Sequence, residues 1–185
     1  MSERFSSAPG VLIAMPELVD PNFERAVVVM IQHDAQGALG LVINHPLGHS
    51  CAEVASRFGL PWTAEGDKRL LRGGPVEQQS LWMLHADGWG FDETMRVCPG
   101  VAVSRSKEAL TRMCRSGESR LRLLVGYAGW GPGQLEGEIQ AGSWLTAAAG
   151  PTQIFEWPPE EVWMRSVYSL GIDPAHLIGG GQTLQ

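Results

Sequence analysis

Apolar residues in this chain gather in short runs, each closed by glycine, proline or a polar turn. Val11 to Met15 ends at Pro16 and reads as a buried strand. Ala26–Gln32 and Ala38–Ile43 are two more. The segment between them, His33-Asp34-Ala35-Gln36-Gly37, has the length and the glycine of a hairpin loop. Arg69–Arg72, Leu81–His85 and Val101–Ser104 read as further strands. Arg120–Gly126 alternates and then turns wholly apolar, as a strand does on entering a core, and Ser143–Ala149 is extended again. Tyr127–Gly133 is rich in glycine and reads as a loop.

Helical spacing shows elsewhere. Ser50 and Glu53 have the separation of a capping box and predict a helix through Phe58, stopped by Gly59 and Pro61. Ser104 or Ser106 caps a second helix to about Arg115, with Ala109, Leu110, Met113 and Cys114 as its apolar stripe and Ser116-Gly117 as its end. Gln134–Gln140 predicts a short helix. Pro158-Pro159 opens the last one, because proline suits a first turn whose N–H groups lack partners. Its buried face is Val162, Trp163, Val167 and Leu170. Residues 1–9 read as a flexible leader, residues from Asp173 as a tail, and 179–185 as its flexible end. Residues 10–178 form one domain without repeat or long linker. Hairpins beside strands that lead into helices indicate an α/β domain of the α+β type, with a mixed sheet.

Composition narrows the functions. With 185 residues, 44% hydrophobic and 18% charged, the chain can build a core without disulfide or metal. A net charge of −6 disfavours direct nucleic-acid binding and docking on anionic membranes. Three scattered cysteines, Cys51, Cys98 and Cys114, fit reduced thiols in the cytoplasm, with burial the default for all three and Cys98 before Pro99 the first candidate for exposure. No apolar run nears the ~20 residues of a membrane span.

Candidate chemistry is sparse. Gly126–Gly133 followed by a helix start is the arrangement that cradles phosphate, but no Gly-Lys-Ser/Thr follows, and Glu136 and Glu138 already occupy the helix's positive end. The glycines are then expected to serve turns and close packing under Trp130. Tyr127, Trp130 and Gln134 still mix aromatic and polar groups as a recognition surface does. His45 and His49 flank Pro46 and Gly48, which prevents a helix from presenting both to a metal. His85 at a strand end is a candidate general base without a recognisable partner. Asp20, Asn22 and Arg25 frame a turn that an Asp–Arg pair could brace. Arg105, Lys107, Arg112, Arg115, Arg120 and Arg122 face only Glu108 and Glu118, a basic patch without interleaved aromatics.

Several blocks carry a resemblance. Gly10-Val-Leu-Ile-Ala-Met-Pro16 with Asp20-Pro-Asn-Phe-Glu-Arg-Ala-Val27, then His33 with Gly37–Asn44 and Pro46-Leu47, come first. Gly73-Gly-Pro-Val76 with Leu84-His85, and Gly126-Tyr-Ala-Gly-Trp-Gly-Pro-Gly-Gln-Leu-Glu136 with Trp144-Leu145, follow in order. Together, over about residues 10 to 178, they resemble the YqgE/AlgH family. The ending Gly180-Gly181-Gln182-Thr183-Leu184-Gln185 departs from the Gly-His-Ala with which the family often ends. The resemblance implies a compact α/β fold around a mixed, partly barrel-like sheet flanked by helices. It implies no established catalytic activity, metal or cofactor, and it brings a label of transcriptional regulation that names a genetic effect, not a DNA-binding surface.

The expectation is a non-catalytic binding or regulatory protein acting through a protein partner or small ligand. Its site is sought at Asn44, Pro46, Gly73, Gly74, Pro75, His85, Tyr127, Gly129, Trp130, Gly131 and Gln134. The alternatives are a small-molecule enzyme using the Tyr127–Gln134 loop and His85, and a direct DNA-binding regulator.

Overall fold

The computed structural model of the chain describes residues 6–66 and 68–179. Ten strands form one sheet among them: β1 (Val11–Ala14), β2 (Val27–Asp34), β3 (Gly37–Val42), β4 (Pro46–Ser50), β5 (Arg69–Arg72), β6 (Val76–His85), β7 (Met95–Cys98), β8 (Val101–Ser104), β9 (Leu121–Trp130) and β10 (Trp144–Ala147). The helices are α1 (Cys51–Arg57), α2 (Lys107–Ser116), α3 (Gln134–Gln140), α4 (Pro159–Ser169) and α5 (Pro174–Gly179).

The strand order is β10-β1-β2-β3-β9-β6-β8-β7, with β5 and then β4 branching from β9. Every pairing is antiparallel except β5 with β9, so the sheet is mixed. It does not close into a barrel: β10 and β7 stand at opposite ends of its path. The branch exists because β9 uses one edge twice. Leu124 and Val125 pair with β5, and Ala128, Gly129 and Trp130 pair with β3.

Both faces of the central strands are covered, which is why their sequences read as continuous apolar runs. Val11, Ile13, Val27 and Val29 meet α4 through Val162, Trp163 and Val167. The alternate residues Leu12, Ala14, Val28 and Met30 meet Leu135 of α3, Trp130 and Trp144. Under α1 and α2 a third cluster joins Val54, Leu110, Met113 and Cys114 to Met83, Leu121 and Leu123.

Local signals placed most elements. The capping box is present, with Ser50 Oγ accepting from Glu53 N–H and Glu53 Oε2 accepting from Ser50 N–H. Ser106, not Ser104, caps α2, and Gly117 ends it in the left-handed region. Other expectations are corrected. The β2–β3 connection is the two residues Ala35-Gln36, because strand pairing continues through His33↔Ala38 and Asp34↔Gly37. β9 runs on through Trp130, so Tyr127–Trp130 is strand where a loop is expected. β6 begins at Val76 and reaches Leu81 over an irregular stretch of its pairing with β9. β4, β7 and α5 have no clear pattern of their own; β4 carries Pro46 and Gly48 and touches β5 at only two register points. Leu170 is exposed, and Ser166 takes its place on the buried face of α4. Of the expected leader, residues 1–5 lie outside the described residues, as do residues 180–185 of the expected tail and the chain's unusual ending. Ser7, within the described part, is buried and donates its N–H to His33 Nδ1.

Candidate functional site

The glycine motifs meet at one backbone crossing. Gly73 N–H donates to Val125 C=O, and Val42 N–H donates to Gly73 C=O, so the chain after β5 threads between β3 and β9. A Cβ on Gly73 would stand closer than 3.0 Å to Gly126 O, and one on Gly74 closer than 3.0 Å to Tyr127 C and O. Gly126 itself has φ 73° and would drive a Cβ into Gly74 O. The crossing is therefore a packing device that lets β9 change partners. It leaves no glycine loop to cradle a phosphate between β9 and α3, only Gly131-Pro132-Gly133.

Beyond the crossing, Glu138 collects the aromatic residues. Its Oε2 accepts from Trp130 Nε1 and Trp144 Nε1, both at 2.9 Å, and its Oε1 accepts from Gln134 Nε2 at 3.2 Å. Gln134 Oε1 accepts from Gly131 N–H, which closes the turn into α3. Phe23 stacks on Trp130 and meets Trp144 edge-on. Trp130 is buried, so its polar handle belongs to the fold. Next to it, His33 Nδ1 accepts from Ser7, leaving Nε2 to carry the ring proton toward Glu136 Oε1 at 3.1 Å. Hydrogen bonding by its own backbone N–H, and then the His33 ring, holds the Glu136 carboxyl below its ordinary range against partial desolvation.

Tyr127, Gly129 and Trp130 line a shallow groove of about 420 Å³ with Gln32, Asp34 and Gln36 of the β2–β3 hairpin. Asp34 gives this groove a negative charge, and hydrogen bonds from Gln32 and Gln36 hold its carboxyl below the ordinary aspartate range. The other candidates stand apart from it. Asn44 Oδ1 accepts from Val27 N–H and its Nδ2 donates to Arg25 C=O, which ties β2 to the end of β3. Arg25 lies over the Trp163 ring rather than bracing Asp20, whose carboxylate caps the 3₁₀ turn Pro21–Phe23. Pro75 precedes β6.

His85 sits in a closed network. Its Nδ1–H donates to Ala86 C=O, so Nε2 accepts from Ser104 Oγ–H; Ser104 in turn accepts from Thr94 Oγ1–H, which accepts from Phe91 N–H. Ser104, read from sequence only as a helix cap, is the partner that was missing. A serine donating to a histidine has the polarity of an activated nucleophile. Here the ring is 0% and the serine 1% exposed, and a backbone carbonyl stands where an orienting acid would be. Burial lowers the His85 pKa from its ordinary 6.5. The unfolded chain therefore gains a proton below about pH 6.5 that the folded chain refuses, and stability should fall as pH drops through that value toward the folded pKa. Denaturant melts of wild type and His85→Gln across this range test it; an equal pH slope in both would sink it. All three thiols are buried, Cys98 included. Desolvation raises each of their pKa values, that of Cys51 to about 11.

The cations of the basic segment take different partners. Arg105 covers the Trp82 ring and Arg112 covers Trp89 and Phe91, aromatics supplied by a different segment. Arg120 pairs with Glu118. Arg122 turns inward, donating to Ile154, Phe155 and Trp157 C=O. It lines a second cavity, about 600 Å³, with Lys68, Arg69, Pro46, Leu47, Gly48, Pro158, Pro159 and Glu160. Sequence reading missed this group because Arg122 is far from the other two cations along the chain and only the parallel β5–β9 register unites them. Among the described residues no set of His, Cys, Asp and Glu forms a metal-binding cluster, and no helix is long and apolar enough to cross a membrane.

With this geometry in hand, comparison with known proteins places the chain. The AlgH-like family matches residues 11–175. The chain belongs to that family. A UPF0301 protein of Myxococcus xanthus is 41% identical over 174 residues, covering 94% of this chain and 96% of that one. A UPF0301 protein of Azoarcus is 39% identical, with 90% of each chain covered. The solution structure of the AlgH protein from Pseudomonas aeruginosa superposes with a TM-score of 0.77 at 33% identity, over 100% of this chain and 98% of that one. A Corynebacterium diphtheriae crystal structure shares the fold at 24% identity and a TM-score of 0.73, over 91% and 90% of the two chains. Gly73, Gly74 and Gly126 build the β9 crossing, and Trp130 and Trp144 the α3 junction.

Proposed function

We propose that this AlgH-like protein works by binding a small ligand without turning it over, and that any effect on transcription is indirect. The observation that supports this reading best is His85: both ring nitrogens are engaged inside the protein and the ring is sealed from solvent. The open cavities are instead lined by backbone, prolines, amides and charged side chains, groups suited to recognition. Direct DNA contact is disfavoured by the net charge of −6 and by the engagement of Arg105, Arg112, Arg120 and Arg122 with aromatic rings, a carboxylate and carbonyls.

Native mass spectrometry of freshly purified protein, followed by denaturing spectra of the same sample, tests the reading. The expected result is a discrete excess mass that denaturation removes and that incubation leaves chemically unchanged. Steady turnover of a candidate substrate, lost in a folded His85→Gln variant, would overturn it.

A further inference from the structure

The cavity between the β4–β5 ribbon and the start of α4 holds a charge imbalance. Among the described residues, the half-buried Lys68 and Arg122 line it, with Arg69 at the rim, and Glu160, which is exposed, is the carboxylate of its lining. The imbalance is built by the fold. Leu71 pairs with Leu124 and Arg72 with Val125, and the strands so joined bring Arg69 and Arg122 to the lining of one cavity. Neutral carbonyls, not acids, meet the two half-buried cations. Lys68 Nζ donates to Ser119 and Leu121 C=O, and the Arg122 guanidinium donates through Nε and Nη2 to the carbonyls around Ile154–Trp157. Carbonyls satisfy hydrogen bonds without neutralising the charge, and at Lys68 the field of the Glu118 carboxylate, which is not ion-paired with it, offsets part of it. Neither Lys68 nor Arg122 forms an ion pair among the described residues, and the Arg122 Nη1 donors and one Lys68 N–H have no acceptor there. Desolvation destabilises the charged form of both side chains, and at Lys68 the repulsion of Arg122 adds to it.

We propose that this cavity is an anion site that takes the phosphoryl group of a small phosphorylated molecule. The inference deepens the binding reading and rests on it. A phosphoryl group carries about −1.5 to −2 charge at neutral pH and several acceptor oxygens, which suits a planar guanidinium beside an ammonium better than one carboxylate would. Pro46, Leu47, Pro158 and Pro159 offer apolar walls to the body of such a molecule. The Asp34 groove on the hairpin has the opposite sign and would exclude it.

Titration of isotope-labelled protein with inorganic phosphate, inorganic pyrophosphate and glycerol phosphate, monitored by amide chemical shifts, tests the site; citrate and sodium chloride serve as comparison anions. Shifts confined to Gly48, Lys68, Arg69, Arg122 and Glu160, stronger for the phosphorylated probes than for citrate, are expected. A larger response to glycerol phosphate than to inorganic phosphate would identify an ester as the preferred form, and the reverse a free phosphate. Lys68→Gln should weaken binding roughly tenfold, about 1.4 kcal/mol. If that variant does not fold, the rim variant Arg69→Gln takes its place. No shifts, shifts only at exposed arginines such as Arg115, or equal shifts with chloride would overturn the assignment. A co-purified mass without these shifts removes the cavity and leaves the binding reading intact. Release of phosphate from an ester removes the non-catalytic reading and leaves the cavity.

Discussion

Replacing Gly126 by valine should leave little folded protein, and even Gly126→Ala should cost about 3 kcal/mol or more. Two penalties act together. A side chain at φ 73° is strained by roughly 1–2 kcal/mol. The new Cβ would also lie closer than 3.0 Å to Gly74 O and at 3.0 Å from Val76 O, and both obstacles are backbone that cannot rotate away. Relief would require the chain after β5 to leave β9, which breaks the Gly73 N–H to Val125 C=O bond and the parallel pairing that follows from it. The overlap is mutual, because a Cβ on Gly74 would strike Tyr127, so a compensating change on the other strand has no room. Gly88 supplies the control. It is exposed, nothing lies within 4 Å of the position a methyl would take, and Gly88→Ala should stay within about 0.5 kcal/mol of wild type. Chemical denaturation of the three proteins measures this. A Gly126→Ala protein as stable as Gly88→Ala would show that the crossing yields easily.

Much of the fold was legible because its signals are local. The Ser50–Glu53 box, the Ser106 cap with Gly117 behind it, and the β-branched runs of β1 and β2 each carry their instruction within a few residues. The glycine-rich stretch misled because glycine has two uses with one signature. It frees a loop, and it also lets two backbones touch inside a sheet; only the partner at Gly73-Gly74 distinguishes them. The site was harder for the same reason at longer range. Tyr127, Gly129 and Trp130 do come together on one groove, but Asn44, Pro46 and His85 go to three other places, each fixed by its own strand's register. Pro46 and Arg122 stood out in the sequence for separate reasons, but nothing there joined them with Lys68 and Arg69 into one cavity, since a parallel pairing such as β5–β9 leaves no short turn between its strands.

Glu138→Leu should be the other severe change, at about 3 kcal/mol. One carboxylate oxygen accepts both the Trp130 and Trp144 indole N–H groups, and an unmet buried donor costs about 1–3 kcal/mol. Glu138→Gln keeps an acceptor in place and should lose about 1 kcal/mol, so the pair separates the loss of the hydrogen bonds from the loss of charge. The two indole N–H resonances report the event directly: in the leucine variant both should shift and exchange faster with solvent. Unmoved indole signals would show that the carboxylate is dispensable. Trp130→Phe then addresses what the aromatic motif is for. It keeps an aromatic ring beside Phe23 and removes the donor together with part of the buried indole, so it should cost stability and leave ligand binding at the Lys68–Arg122 cavity unchanged. If it instead weakened binding while stability held, Trp130 would be a recognition residue reached from the Tyr127–Gly129 groove, and the ligand site would have to be sought on that face of β9.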